Sequence, residues 1–208
     1  MNRRGTIGLS TGVILLIAAW TVAATRPVEP ELAVRPVVLP EVLQEGDLVF
    51  RTGHDAISGA VLALDPTPQF SHVGILARRD GTWVVIHSLP PAFAGDVDGV
   101  RVESLRDYLS VSNARQAAVY RLADNSRQQA HAAVMEAFSY DQKHTAFDGD
   151  FDLKDHRRLY CTELVWLAFR KAGVDLAPSP DWLNLPLRAG YYVLPSTLIH
   201  SEALRPVS

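Results

Sequence analysis

The pair Asp80-Gly81 separates two apolar, strand-like runs at 71–78 and 82–88. Aspartate and glycine tolerate the positive φ that both central positions of a tight hairpin turn demand, so the runs are expected to pair as antiparallel strands. With the pair in the turn, Arg79 faces Thr82, and counting outward sets Gly74 opposite His87. Side chains alternate along a strand, which gives His72 the face of Gly74. His72 and His87 are therefore expected on one side of the sheet as diagonal neighbours, Cα atoms roughly 7–8 Å apart. Gly74 leaves room for both rings. A loop one residue longer would send them to opposite faces.

Cys161 is the only cysteine of the chain. It opens a stretch with apolar residues at Cys161, Leu164, Val165, Ala168, Phe169 and Ala172, the spacing of one buried helix face, followed by Gly173 as a C-terminal cap. A thiol in the first turn faces unpaired N–H groups and the positive end of the helix dipole, both of which favour thiolate. A lone cysteine has no intramolecular disulfide partner. The thiol is free for chemistry, pairs with another molecule, or serves as a small core hydrophobe.

The N-terminus gives that thiol a compartment. Arg3 and Arg4 precede an uncharged stretch from Gly5 to Thr25 whose densest apolar run is 13–20. Residues 1–24 read as a signal peptide, with Val22 and Ala24 as the small residues before a cleavage site, or as a retained membrane anchor. The positive-inside tendency then places the rest of the chain across the membrane: exported, periplasmic or on the outer face of the cytoplasmic membrane. Residues 25–40 carry four prolines and read as an extended spacer. One domain, 41–208, follows. The net charge of -3 supplies no basic field, so nucleic acid is not an expected partner.

Further strands are expected at 48–51, 99–103 and 117–122. Helices are expected at 57–64, from Ser104 to Leu109, from Asn125 or Ser126 to Tyr140, from Cys161, and from Pro195. Strands in the middle with helices before and after suggest an α+β fold, an antiparallel sheet packed against the helix that begins at Cys161.

A free thiol and two imidazoles on one face suit a Cys–His couple with a third group orienting the ring, His72 and His87 filling the two roles in either order. The same three side chains suit a Cys-His-His zinc site. A domain that keeps the fold and binds envelope components without turnover is the other class.

Four segments together resemble the permuted branch of the NlpC-type papain-like cysteine hydrolases, the YiiX-like group. They are residues 46–50 (Gly-Asp-Leu-Val-Phe), 71–76 (Ser-His-Val-Gly-Ile-Leu), 84–87 (Val-Val-Ile-His) and 160–166 (Tyr-Cys-Thr-Glu-Leu-Val-Trp). The resemblance spans about 41–201, with the histidine strand before the cysteine helix, the permuted order. It implies a circularly permuted papain-like fold, Cys161 as nucleophile, His72 as general base and His87 in the third, polar position. No cofactor is implied. YiiX-like proteins often carry glutamate at the third position. Histidine on the following strand is similar to the lecithin retinol acyltransferase-like branch. The implied substrates are accordingly a cell-envelope peptide or amide, a peptidoglycan fragment, or a lipid or acyl compound. The N–H of Cys161 is the natural oxyanion donor, with the adjacent Tyr160 a rim candidate or a packing anchor.

Asp148, Asp150 and Asp152 invite a calcium reading, but Leu153 and Leu159 stand where such a loop needs glycine and an acidic ligand, so a solvated loop is expected. Glu163 is expected exposed in the first helical turn, where a carboxylate suits the dipole. His54, His131, His144, His156 and His200 are expected on the surface, and Trp182 in packing or at a pocket rim.

Overall fold

The computed structural model describes residues 39–184 and 189–207. The N-terminal targeting segment and nearly all of the Pro-rich spacer read from the sequence lie outside the described residues. No helix among the described residues is long and apolar enough to cross a membrane.

Six strands form one antiparallel sheet in the order β4-β3-β2-β1-β5-β8. These are β1 (Leu48–Thr52), β2 (His72–Arg79), β3 (Thr82–Leu89), β4 (Gly99–Ser104), β5 (Gln116–Leu122) and β8 (Leu204–Val207). A separate hairpin pairs β6 (Asp181–Asn184) with β7 (Ala189–Tyr192). The helices are α1 (Ala56–Leu64), α2 (Leu105–Tyr108), α3 (Arg127–Gln142), α4 (Cys161–Lys171) and α5 (Pro195–Ile199). Strands β1 to β5 and the five helices fall where turn and capping residues place them. Strands β6, β7 and β8 carry no clear alternation, and the sequence reading leaves them out.

The central hairpin has the anticipated geometry. Asp80 and Gly81 both take positive φ, 51° and 76°, and Arg79 pairs with Thr82. Ile75 pairs with Ile86, and continuing the register sets Gly74 against His87. The two faces of the sheet bury different partners. Val73, Ile75, Ala77, Val84 and Ile86 pack in the main core with α3 and α4. Val49, Leu76 and Val85 pack with Leu105 and Tyr108 of α2. The pleat therefore assigns His72 and His87 to the α2 face, and Tyr108 meets both rings there.

Helix α4 departs from the one-sided amphipathic pattern. Every residue from Thr162 to Phe169 is buried, because α3 and the sheet cover it together with the loop before it and α5. Its C-terminus closes as a Schellman motif: Gly173 at φ 87° lets its own N–H reach the Arg170 carbonyl and the N–H of Val174 reach that of Phe169.

A buried polar clamp anchors the strand that precedes the site. Asp47 accepts from Arg121 through both carboxylate oxygens, at 2.6 and 2.7 Å, and from the N–H of Gln44. This carboxylate ties the turn before β1 to β5.

Gly74 is the hairpin's close approach. A Cβ there would come within 2.3 Å of Val85 Cγ1 and 3.0 Å of His87 Cβ. The β-branched Val85 has little freedom to retreat. Gly74→Ala is expected to lower stability by about 1–3 kcal/mol in urea unfolding, with histidine ring NMR signals displaced. Wild-type stability with unmoved ring signals would contradict this packing.

Candidate active site

His72 and His87 meet as the strand pairing requires. His72 Nε2 and His87 Nδ1 lie 2.9 Å apart, the rings 5.1 Å between centroids and nearly perpendicular. Both are buried, and the Tyr108 ring packs against each. Tyr108 is itself fixed, its hydroxyl donating to the Val49 carbonyl at 2.9 Å. Arg51 stacks over the same ring at 4.2 Å and donates to the Tyr108 carbonyl. Burial, then the Arg51 guanidinium, hold His72 well below the ordinary imidazole range. Burial also lowers His87, and the Glu103 carboxylate opposes it. The resting pair is two neutral rings, and with His72 Nε2 engaged, Nδ1 is the ring nitrogen left to exchange a proton elsewhere.

Cys161 stands at the start of α4, beside the strand that carries His72. The ladder between β2 and β3 ends at Ile75 and Ile86, and the N–H of Val73 donates to the Cys161 sulfur instead. The residue after His72 thus holds the thiol. The N–H groups of Thr162 and of Cys161 itself also favour thiolate, as does the Arg51 charge. No side chain caps α4 at Tyr160, so its leading N–H groups stay available to the sulfur and to a ligand beside it. Burial outweighs these influences and pushes the thiol up to about 11. The thiolate expected from the helix start is therefore not the resting form; the proton stays on sulfur until a base takes it.

Cys161 is half-buried and opens onto a groove of about 450 Å³. The walls are apolar: Ile57, Val61 and Leu64 of α1 on one side, Phe147 and Phe151 on another, Leu194 on a third. Helix α1 contains no charged residue, and Ile57 and Leu64 are exposed. Tyr160 lines the groove, and its hydroxyl accepts the Val193 N–H at 3.1 Å, which makes it a packing anchor of the wall. A larger cavity of about 810 Å³, lined by Trp83, Leu105 and Leu109, lies against the outer side of α2 and contains no histidine or cysteine.

Several surface expectations change. Glu163 is fully buried, not exposed. Its Oε1 lies 2.8 Å from His156 Nδ1, and its Oε2 has no hydrogen-bond partner. Burial, then the nearby Asp148 charge, push the Glu163 carboxyl up to about 9. Asp148 is buried as well and orders its loop by accepting the N–H groups of Asp150 and Asp152. Trp182 is 59% exposed and stacks edge-on with Tyr191 at 4.9 Å, so it is neither core nor linker packing. The five other histidines are exposed. Among the described residues no three His, Cys, Asp or Glu side chains converge as a metal-ligand set. Arg51, Tyr108 and Glu103 were not singled out from sequence, since each reads there as an ordinary strand or helix residue.

Comparison with known proteins agrees with this architecture. Residues 42–207 match the family described as permuted papain-like amidase enzyme, YaeF/YiiX, C92 family. Among solved structures the chain is similar to the crystal structure of metalloprotein yiiX from Escherichia coli O157:H7, DUF1105. That likeness has 20% identity and a TM-score of 0.64, over 79% of this chain and 96% of that one, and it shows the fold. No curated protein matches the chain. The chain belongs to the permuted papain-like amidase family, and its type of activity is that of a thiol hydrolase.

The buried Glu163 carboxyl makes stability depend on pH. Its ordinary value is 4.5 and its folded value about 9. The folded state binds the proton more tightly, so this stabilisation is complete below the unfolded value and is lost as pH rises through the folded one. Glu163→Gln cannot ionise and is expected to escape that loss. Its urea midpoint should gain on wild type progressively from about pH 5 to about pH 9. Parallel profiles would show that Glu163 does not hold a proton in the fold.

Proposed function

We propose that this permuted papain-like amidase is an exported thiol hydrolase that cleaves an amide or ester whose acyl part is apolar. Cys161 is the nucleophile, His72 the general base and His87 the group that orients it. The observation that carries the reading is the groove. A largely apolar channel walled by Ile57, Val61, Leu64, Phe147, Phe151 and Leu194, with Asp150 the one charged residue of its lining, contains the half-buried sulfur of Cys161. Such a channel gains about 25 cal/mol per Å² of apolar surface it removes from water and offers little to a highly charged substrate. Export is supported by Arg3 and Arg4 followed by the uncharged stretch 5–25. The substrate is then an acyl compound or an apolar peptide of the cell envelope, met in the periplasm or on the outer face of the membrane.

The reaction follows from the protonation states. Thiol and imidazole are both neutral at rest, so His72 Nδ1 takes the Cys161 proton as the sulfur attacks the carbonyl carbon. The carbonyl π pair moves to oxygen, which receives the Cys161 N–H at the uncapped start of α4. His87, bonded to His72 Nε2, keeps that ring aligned while it carries positive charge. The tetrahedral adduct collapses, and the leaving nitrogen or oxygen departs with the proton from His72. The remaining thioester is hydrolysed by water, which gives a proton to His72 as it attacks. The acid is released and the thiol restored.

The name of the yiiX neighbour raises a metal reading. In this chain the two imidazoles turn facing nitrogens on each other at 2.9 Å, an arrangement suited to proton transfer and not to shared coordination. Stoichiometric zinc in protein purified without chelator, lost in Cys161→Ala, would overturn the nucleophile assignment.

A series of fluorogenic anilides with lengthening acyl chains tests the proposal. Turnover is expected in wild type and absent in Cys161→Ser, with His72→Ala slowed by about 10²–10⁴-fold. Rates as kcat/KM should climb by about threefold to fourfold per added methylene until the groove is filled. Val61→Trp, which fills the groove, should abolish the preference for long chains and spare short ones. Chain-length indifference would refute the acyl assignment. Equal inertness of wild type and Cys161→Ser across amides and esters would favour a binding module.

A further inference from the structure

Glu103 lies on β4. The β3–β4 ladder pairs Val85 with Glu103 and His87 with Arg101, so Glu103 shares the face of His87 one pair further along. Its Oε2 comes to 3.2 Å from His87 Nε2. That nitrogen is fully buried and makes no hydrogen bond of normal geometry; the 3.2 Å approach of Glu103 is an ion-pair contact. His87 in turn lowers the Glu103 pKa, so the carboxyl is ionised at neutral pH and can only accept.

We infer that Glu103 is a positioning residue that fixes the proton on both imidazoles and so leaves a bare nitrogen of His72 for the Cys161 thiol. The consequence for catalysis rests on the hydrolase reading above; the proton placement rests on the contacts alone. An acceptor at Nε2 requires the His87 proton there. His87 Nδ1 is then a lone pair, and the 2.9 Å contact must be donated by His72 Nε2. A neutral ring with its proton on Nε2 has none on Nδ1. The reverse arrangement makes the same histidine–histidine bond: His87 Nδ1 donates, His72 Nε2 accepts, and the His72 proton sits on Nδ1. That arrangement blocks the base. Only the group behind His87 distinguishes the two, and there Glu103 is an acceptor. The nearest cations, Arg51 and Arg101, are donors only, and the Tyr108 hydroxyl is occupied by Val49.

Two-bond nitrogen–proton NMR on the full-length chain, labelled with nitrogen-15 histidine, tests the assignment. Signals are assigned by their loss in His72→Gln and His87→Gln. In wild type both rings are expected to show a protonated Nε2 and a bare Nδ1; a protonated Nδ1 on either ring overturns the inference. Glu103→Leu should mix the tautomers of both rings and slow Cys161 alkylation by iodoacetamide about tenfold or more. Unchanged tautomers in that variant also overturn it. Glu103→Gln, whose carbonyl still accepts, should keep the wild-type tautomers and alkylate within about threefold of wild type. If wild type alkylates no faster than His72→Ala while the tautomers stand as assigned, the hydrolase reading fails and the proton placement survives.

Discussion

The hydrogen bond between His72 and His87 depends on a two-residue turn six positions away from the nearer ring. Asp80 and Gly81, both at positive φ, hold the register in which Gly74 faces His87. From that register follow the shared face, the vacancy at Gly74 and the contact with Tyr108. A shift of one residue would place one imidazole in the main core and the other against α2. The same ladder ends early, at Ile75 and Ile86, and the N–H of Val73 goes to the sulfur of Cys161. The hairpin therefore fixes the rings, and beyond the end of its ladder the strand that carries His72 also holds the thiol.

Desolvation sets the chemistry of that point. A thiol and two imidazoles taken out of water all favour their neutral forms. The N–H groups at the start of α4 and the Arg51 charge pull towards thiolate, but burial wins and the thiol rests at about 11. An ion pair waiting in the free protein is thus disfavoured, and in the proposed reaction charge separation is deferred until a carbonyl is in place. Arg51 fits this arrangement. A buried cation beside His72 opposes an imidazolium and favours a thiolate, so its two effects on a proton passing from sulfur to ring partly cancel. The apolar walls of α1 continue the theme, since exclusion of water strengthens each of these interactions.

Much of this was legible in the chain, and the limits have physical causes. The hairpin is local: two turn residues and a period of two suffice to place the histidines. Helix α4 was legible in extent, from Cys161 to the Gly173 cap, but not in burial. An amphipathic stripe reports one buried face, while α3 and the loop 143–160, whose packing the helix's own residues do not signal, cover the others. For that reason Glu163 reads as exposed: a carboxylate in a first turn suits the dipole, and the Asp148 loop that buries it carries no such signal. Glu103 escaped because its register depends on the connection 90–98, which carries no turn signature to count across. Strand β8 contains Pro206, tolerable only because this strand lies at the edge of the sheet, and such strands lack alternation to read.

The central claim is that thiol and rings form a single path, in which His87 acts on Cys161 only through His72. A double-mutant cycle on the rate of Cys161 alkylation at neutral pH tests it most directly. The account requires losses in His72→Ala and His87→Ala that do not add, with the double variant no slower than His72→Ala alone. Losses that add, or a sulfur equally reactive in all four proteins, would contradict it.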